Sequence, residues 1–147
     1  MNNVYTVWEA SYRGPAPNLR GVNILLVDPF KCSLLESRNF DTLASSAAAT
    51  ELSTYLQQVS DGDIIVGVTA DEPTGKLASA LPALQQLGVD VSDVQRRGSF
   101  VFVAQKGFPA NTKLRKTLNE QESKRHKPRI SVSIAGINWQ NSTRVRA

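Results

Sequence analysis

The chain has very few of the residues that carry the commonest site chemistry. It contains one cysteine, Cys32, and one histidine, His126, among its 147 residues. A single cysteine cannot form an internal disulfide, which favours a reducing compartment or a fold that needs no cross-link. Cys32 has no companion at a metal-ligand spacing, and nothing in the sequence orients His126 against a serine. Zinc-finger and serine-hydrolase chemistries are therefore disfavoured.

Long apolar runs are also missing. No stretch of about 18 apolar residues occurs, so we expect no membrane-crossing segment. The first residues, Met1 to Tyr5, form neither a charged n-region nor an apolar h-region, so we expect no secretory signal in this chain. A mature secreted protein is still compatible with this. With 147 residues and 41% hydrophobic content, we expect one domain, 1–147, with one core.

Charge is unevenly distributed along the chain. Residues 1–108 hold 8 basic and 11 acidic residues, a net charge of −3, whereas residues 109–147 hold 9 and 2, a net charge of +7. The basic segment 109–129 could contact phosphates, but no aromatic residue lies among its cations to stack on a base. We therefore favour a solvated linker for this segment and regard nucleic acid as a disfavoured partner.

Apolar runs and turn residues predict the secondary structure. Strands are predicted at 4–10, 22–27, 30–40, 63–70 and 98–104, and at 129–135 within a carboxyl-terminal segment 129–137. An Ala-rich helix is predicted over 42–59, capped by Asp41 or Thr42, and a second helix is predicted from about residue 79 to Gly88. This order predicts a mixed α+β fold with helices flanking a twisted sheet, and it does not decide whether the strands are parallel.

Two carboxylates stand at the carboxyl end of the most apolar predicted strand. Asp71 and Glu72 follow the run Ile64 to Ala70 directly, and charges there are costly unless they are exposed, paired or used. Arg20 and Arg97 each immediately precede another predicted strand. A carboxylate between two guanidinium groups suits a polyhydroxylated ring, because sugar hydroxyls donate to the carboxylate and guanidinium groups donate to ring or acetamide oxygens.

Other interpretations of this region are open or disfavoured. A salt-bridge cluster that fixes the loops and binds nothing is the commoner outcome for such spacing alone. The pair Gly75-Lys76 is similar to part of a phosphate-binding loop, but Ala70 and Leu77 stand where that motif needs glycine and a hydroxyl. Glycoside hydrolysis needs a second acid facing Asp71, and the adjacent Glu72 would point elsewhere on a strand end. We expect no catalytic residues, no metal and no cofactor.

Several short motifs share the order and spacing of a known family. They cover about residues 19–108, and comprise Arg20-Gly21-Val22-Asn23-Ile24, Asn39-Phe40-Asp41-Thr42, Asp61-Gly62, Asp71-Glu72, Leu77, Leu87-Gly88, Arg97, Phe102-Val103 and Lys106-Gly107. The sequence resembles the ILEI domains, also called GG domains, of cytokine-like proteins and of the stem domain of protein O-mannose N-acetylglucosaminyltransferase. The resemblance implies two twisted, mainly antiparallel sheets packed as a sandwich, with short helices alongside.

The resemblance also implies a function. The stem domain is a lectin for terminal β-linked N-acetylglucosamine, and its binding arginine, aspartate and arginine correspond to Arg20, Asp71 and Arg97 here. The leading hypothesis is thus a non-catalytic lectin whose partners are glycans or glycoproteins, and the alternative is a secreted, cytokine-like interaction module with a structural Arg-Asp-Arg cluster. The family favours a secreted location. Weak single-site affinity would favour a homo-oligomer, for which the edge-like strand 130–134 is one possible surface.

Overall fold

The computed structural model describes residues 4–8, 19–31, 33–70, 73–112, 116–119, 122 and 129–133. Its elements follow in chain order: β1 (Val4–Trp8), β2 (Gly21–Val27), β3 (Leu34–Phe40), α1 (Ser46–Gln58), β4 (Ile64–Ala70), α2 (Leu81–Gln86), β5 (Ser99–Gln105), β6 (Lys116–Leu118) and β7 (Arg129–Ser133). Short 3₁₀ turns at Ala78–Ala80 and Pro109–Asn111 precede α2 and follow β5. Cys32, Asp71, Glu72, His126, Trp139 and Asn141 lie outside the described residues.

The strands form a five-stranded sheet in the order β3-β2-β4-β5-β6 and a separate two-stranded ribbon of β1 and β7. Every described strand pair is antiparallel. The mixed α+β class and the antiparallel sheet are confirmed. The ribbon contacts the sheet, β1 touching β4 and β7 touching β5. That the two sheets form a sandwich stays a prediction.

The central strands are buried on both faces, which explains their continuous apolar runs. On one face, side chains of β2 and β5 pack against both helices, with Ile24 and Phe102 facing Leu52 and Leu84 across the core. On the other face Leu25, Val66 and Val103 align across the three strands and are also buried. Two predicted buried strands, at 63–70 and 98–104, are thereby confirmed within one residue.

One glycine makes room for an aromatic ring of this core. Gly67 pairs with Phe102 across β4 and β5, and a Cβ at Gly67 would lie 2.1 Å from Phe102 Cε2. The Phe102 ring therefore lies directly over the Gly67 backbone. Phe100 and Phe102 stack with ring centroids 6.4 Å apart.

Helix α1 begins four residues later than predicted. Its N-cap is Ser45, which has an extended backbone and whose hydroxyl accepts a hydrogen bond from the backbone amide of Ala47. The carboxylate of Asp41 instead accepts the amide of Ala44 in the preceding turn. The predicted cap was wrong, because 42–50 contains several hydroxyl residues that can each cap a helix. Helix α2 begins at Leu81, with Pro82 in its first turn, where a missing N–H costs little.

The carboxyl end of α1 receives its positive charge from the sheet. No basic residue lies in the last turn of α1. The ammonium of Lys106, directly after β5, donates to the carbonyls of Leu56 and Gln57, the latter at 3.0 Å. Burial lowers the pKa of Lys106, and the nearby carboxylate of Asp61 opposes that shift. One side chain thus satisfies two helix-terminal carbonyls and joins α1 to β5.

The basic segment contributes a strand to the sheet. The favoured interpretation as a linker was wrong for Lys116–Leu118, which form β6 and pair with β5, Ser99 lying opposite Leu118. Three residues are too few for an alternating pattern to reveal a strand. No helix among the described residues has the length and apolarity to cross a bilayer.

Replacing Gly67 by alanine is expected to destabilise the fold by about 1–3 kcal/mol, because the new methyl group overlaps the Phe102 ring in a closed core. Gly75→Ala is the matched control, since there the one close approach of a Cβ is to the flexible end of Leu43, at 2.9 Å, and its backbone neighbours lie at ordinary contact distances. Denaturant unfolding of both variants measures the difference. Equal stability of the two variants would contradict the packing described here.

Candidate functional site

The ends of adjacent strands bring the predicted site residues to one edge of the sheet. Gly21, the first residue of β2, lies opposite Ala70, the last residue of β4. Because β4 and β5 are antiparallel, with Val68 opposite Val101, β5 also begins at this edge. Neighbouring strands lie about 4.8 Å apart, so the starts of β2 and β5 are roughly 10 Å from each other. The rim is the name used below for this edge, which is formed by the ends of the strands where β2 and β5 begin and β4 ends. Its described charged residues are Arg20, Asp41 and Arg97.

Arg20 is held by a partner that sequence reasoning did not assign to it. Its Nε lies 3.1 Å from both carboxylate oxygens of Asp41, and its Nη2 donates to Asp41 Oδ2 at 2.8 Å. Asp41 directly follows β3, whose last residue, Phe40, lies opposite Val22. The two side chains are 45% and 35% exposed. Such a pair contributes little to stability but fixes the plane of the guanidinium group.

The same pair sets the acidity of Asp41. The hydrogen bond from Arg20 holds the pKa of the Asp41 carboxyl below its usual value, helped by the amides of Ala44 and Leu43 and opposed by partial burial. Asp41 is therefore ionised at neutral pH. A negative charge thus lies beside Arg20 whether or not a ligand is present.

The backbone of Arg20 is fixed by a glycine and two asparagines. Gly21 has φ 101°, and a Cβ there would lie 2.2 Å from the carbonyl oxygen of Phe40, so only glycine fits. The side-chain amide of Asn39 donates to the backbone carbonyl of Arg20 and to Asn23 Oδ1, both at 3.0 Å. Asn23 is buried and returns a bond to the carbonyl of Leu19 at 2.7 Å. The chain therefore enters β2 in one defined direction.

The two residues on either side of Asp71 and Glu72 are both anchored at the rim. Ala70 belongs to the β2–β4 ladder. The carbonyl of Pro73 accepts from the buried hydroxyl of Thr42, and the carbonyl of Thr42 accepts the amide of Lys76 at 2.7 Å. Thr42 directly follows Asp41, so the turn that holds Arg20 also holds the loop after β4. The described chain is therefore anchored at the rim on both sides of residues 71–72, which lie outside the described residues.

Arg97 sits in a left-handed backbone conformation. Its φ is 61°, and it is the one non-glycine residue with positive φ among those described. The amide of Gly98 donates to the carbonyl of Gln95 at 2.8 Å, closing a turn that leads into β5. A side chain costs about 1–2 kcal/mol in this conformation, so glycine would be the default residue here. Strained positions of this kind are concentrated at functional sites.

The structure thus gives a partial answer about the predicted site. It brings Arg20 and Arg97 to one edge and places Ala70 there, directly before Asp71. It adds Asp41 and Thr42, which the sequence suggested as helix caps and as part of a family motif but not as site residues. Within the described part of the chain, no cluster of His, Cys, Asp or Glu could hold a metal ion.

The fold and rim define a small α+β domain with exposed, alternating charges at one sheet edge. The chain belongs to the ILEI family, since the family model described as interleukin-like EMT inducer matches residues 20–108. The match begins at Arg20 and includes β2 to β5 with both helices. The predicted family membership is confirmed. No curated protein matches the chain.

Asp41→Asn is expected to remove an acid-sensitive part of the stability. The folded pKa of Asp41 is lowered, so its contribution is present above the unfolded value of 3.8 and is lost as pH falls through the folded pKa. Because the pair is exposed, we expect a difference of at most about 1 kcal/mol from wild type at pH 6, which closes as the pH falls below 3.8 and through the folded pKa. Urea unfolding across this range measures it. A difference in free energy of unfolding between wild type and Asp41→Asn that grows as the pH falls would contradict this assignment.

Thr42→Val tests whether the hydroxyl anchors the loop after β4. Valine keeps the shape but leaves the buried Pro73 carbonyl without its donor, so the free energy of unfolding should fall by about 1–3 kcal/mol. Thr42→Ser retains the hydroxyl and is the matched control. Thermal unfolding measures the effect, and equal melting temperatures of Thr42→Val and Thr42→Ser would show that the hydrogen bond contributes little.

Proposed function

We propose that this chain is a non-catalytic carbohydrate-binding protein that recognises terminal N-acetylglucosamine or a related N-acetylhexosamine through Arg20, Asp71 and Arg97. The observation that carries the proposal is the pairing of Gly21 with Ala70. That pairing puts the start of β2, which Arg20 precedes, against the end of β4, which Asp71 follows in the sequence. The resemblance to the stem-domain lectin assigns ligand contacts to these same positions.

The chemistry of the rim suits a neutral, hydroxylated ligand. A carboxylate accepts two or more sugar hydroxyls, and a guanidinium group donates in a plane to ring or acetamide oxygens. Asp41 balances the charge of Arg20, so the rim does not present a strong field of one sign. A highly anionic ligand would therefore gain little there, and a neutral acetamido sugar is the better match.

Binding at such a site should be weak. A polar, open rim must lose water from both protein and sugar before it gains hydrogen bonds, which limits the net free energy. The fixed backbone around Arg20 lowers the ordering cost in part. We propose that the chain performs no chemistry on the sugar and that several copies acting together raise its affinity for glycans.

The binding experiment is an NMR titration with methyl β-N-acetylglucosaminide, with methyl β-glucoside to test the acetamide. Wild type should show saturable shifts at amides of the rim, such as Gly21, Thr42 and Gly98. Asp71→Asn should weaken binding at least about tenfold, because the charged acceptor is lost. Asp61→Asn, the same change in the turn at the opposite end of β4, is the matched control. Unchanged affinity in Asp71→Asn, or no shifts in wild type, would sink the proposal.

Arg97→Gly separates a binding role from a structural role. Glycine relieves the left-handed strain, so this variant should unfold at a temperature equal to or above that of wild type while losing sugar binding. Calorimetry and the same titration measure the two quantities. A marked loss of stability with unchanged binding would instead show that Arg97 has a structural role.

The second candidate function is a protein-interaction module in which the rim charges are structural. The bidentate pair of Arg20 with Asp41 favours it, because one of the three site residues already has a partner within the chain. Under this alternative Asp71→Asn lowers the melting temperature and leaves every sugar titration flat. The secreted, cytokine-like character of some relatives belongs to the same alternative.

A further inference from the structure

The outer edge of the five-stranded sheet at β3 is open among the described residues. β3 pairs there with β2 alone, and six of its seven residues, from Leu34 to Asn39, are exposed or half-exposed. Three large apolar side chains are exposed in the described part of the chain, and all lie on the hairpin formed by β2 and β3 or next to it in the sequence. They are Phe30 at 59%, Leu19 at 49% and Leu35 at 40% exposure. An open strand edge with apolar neighbours is a template for another strand.

The charges on this edge are complementary to themselves. Glu36 and Arg38 flank Ser37, and both point to the α1 face, since Tyr55 donates to Glu36 Oε2 at 3.0 Å and Arg38 lies 4.9 Å over the Tyr55 ring. When a second copy of β3 runs antiparallel with Ser37 opposite Ser37, Glu36 of each copy faces Arg38 of the other. A parallel, in-register copy would instead place like charges together. The sequence of this edge therefore selects one orientation.

We propose that β3 is the surface through which two copies of this chain pair edge to edge, antiparallel about Ser37. The contact is isologous, so each copy contributes the same residues and both open edges are closed at once. The same register places Leu35 opposite Asn39 of the second copy. Asn39 bonds to the Arg20 carbonyl and to Asn23, which in turn binds Leu19. Leu35 of each copy thereby lies beside the Asn39 that holds the Arg20 carbonyl of the other copy.

The structure also sets the strength of this dimer. The register of β3 against β2 shifts between Leu26 and Val27, so β3 is irregular near Leu34 and Leu35. Because pairing about Ser37 sets the end of one β3 against the beginning of the other, regular pairing is confined to the middle of the strand, from Glu36 to Arg38. Such a short contact is smaller than a stable obligate interface, so the dimer forms in a concentration-dependent way. Dimerisation through β3 needs no bound sugar. The strand β3 is also a different surface from residues 130–134, which the sequence suggested for self-association.

Charge reversal tests the pairing, with the full chain studied by sedimentation equilibrium up to high micromolar concentration. Wild type should show a monomer–dimer equilibrium. Glu36→Arg places two arginines opposite each other twice per dimer, and Arg38→Glu does the same with glutamates, so each should weaken dimerisation about tenfold or more. The Glu36→Arg/Arg38→Glu double variant restores opposite charges and should dimerise like wild type.

A mixture of the two single variants gives the most specific test of the proposed register. An equimolar mixture of Glu36→Arg and Arg38→Glu places arginines against glutamates throughout, so it should form mixed dimers although neither variant dimerises well alone. Circular dichroism confirms that each variant is folded, and Glu51→Arg at an exposed position of α1 makes the same change in net charge as Glu36→Arg away from β3. A monomeric wild type, single variants as dimeric as wild type, or a mixture that stays monomeric would each overturn the proposal.

Discussion

The antiparallel ladder of β2, β4 and β5 is the constraint on which the rest of the structure depends. These strands are buried on both faces, so each face needs a cover, and the helices supply one of them. Strands that alternate in direction must start and end at shared edges. The rim positions of Arg20 and Arg97 follow from that ladder, and Asp41 joins them because β3 pairs with β2.

The rim joins structural and candidate binding roles in a few side chains. The turn of Asp41 and Thr42 holds Arg20 on one side and the loop after β4 on the other. A structural ion pair and a ligand site are therefore not exclusive here, because the carboxylate of Asp41 orients the guanidinium group that a sugar would meet. Arg97 differs from Arg20, since its backbone is strained where a glycine would fit without cost.

The sequence predicted the strands well where burial decides the pattern. β2, β4 and β5 lie in apolar runs bounded by turn residues, and a run of that kind has few other outcomes. The pairing of Arg20 with Asp41 was not visible, because ion pairs between distant residues leave no periodic signal. β6 was missed since three residues in a charged segment gain their strand structure from β5 alone. Asp71 stays a prediction, supported by its anchored neighbours.

The tether from Lys106 to α1 couples elements that are far apart in the chain. A helix of this length is marginal by itself. The last turn of α1 contains no basic residue, so its carbonyls gain a cation only when Lys106, after β5, reaches them. The last turn of α1 and the end of β5 should therefore open together as one cooperative unit, with amide protons that exchange at similar rates. A peptide limited to α1 would accordingly be mostly unstructured, despite its alanine content.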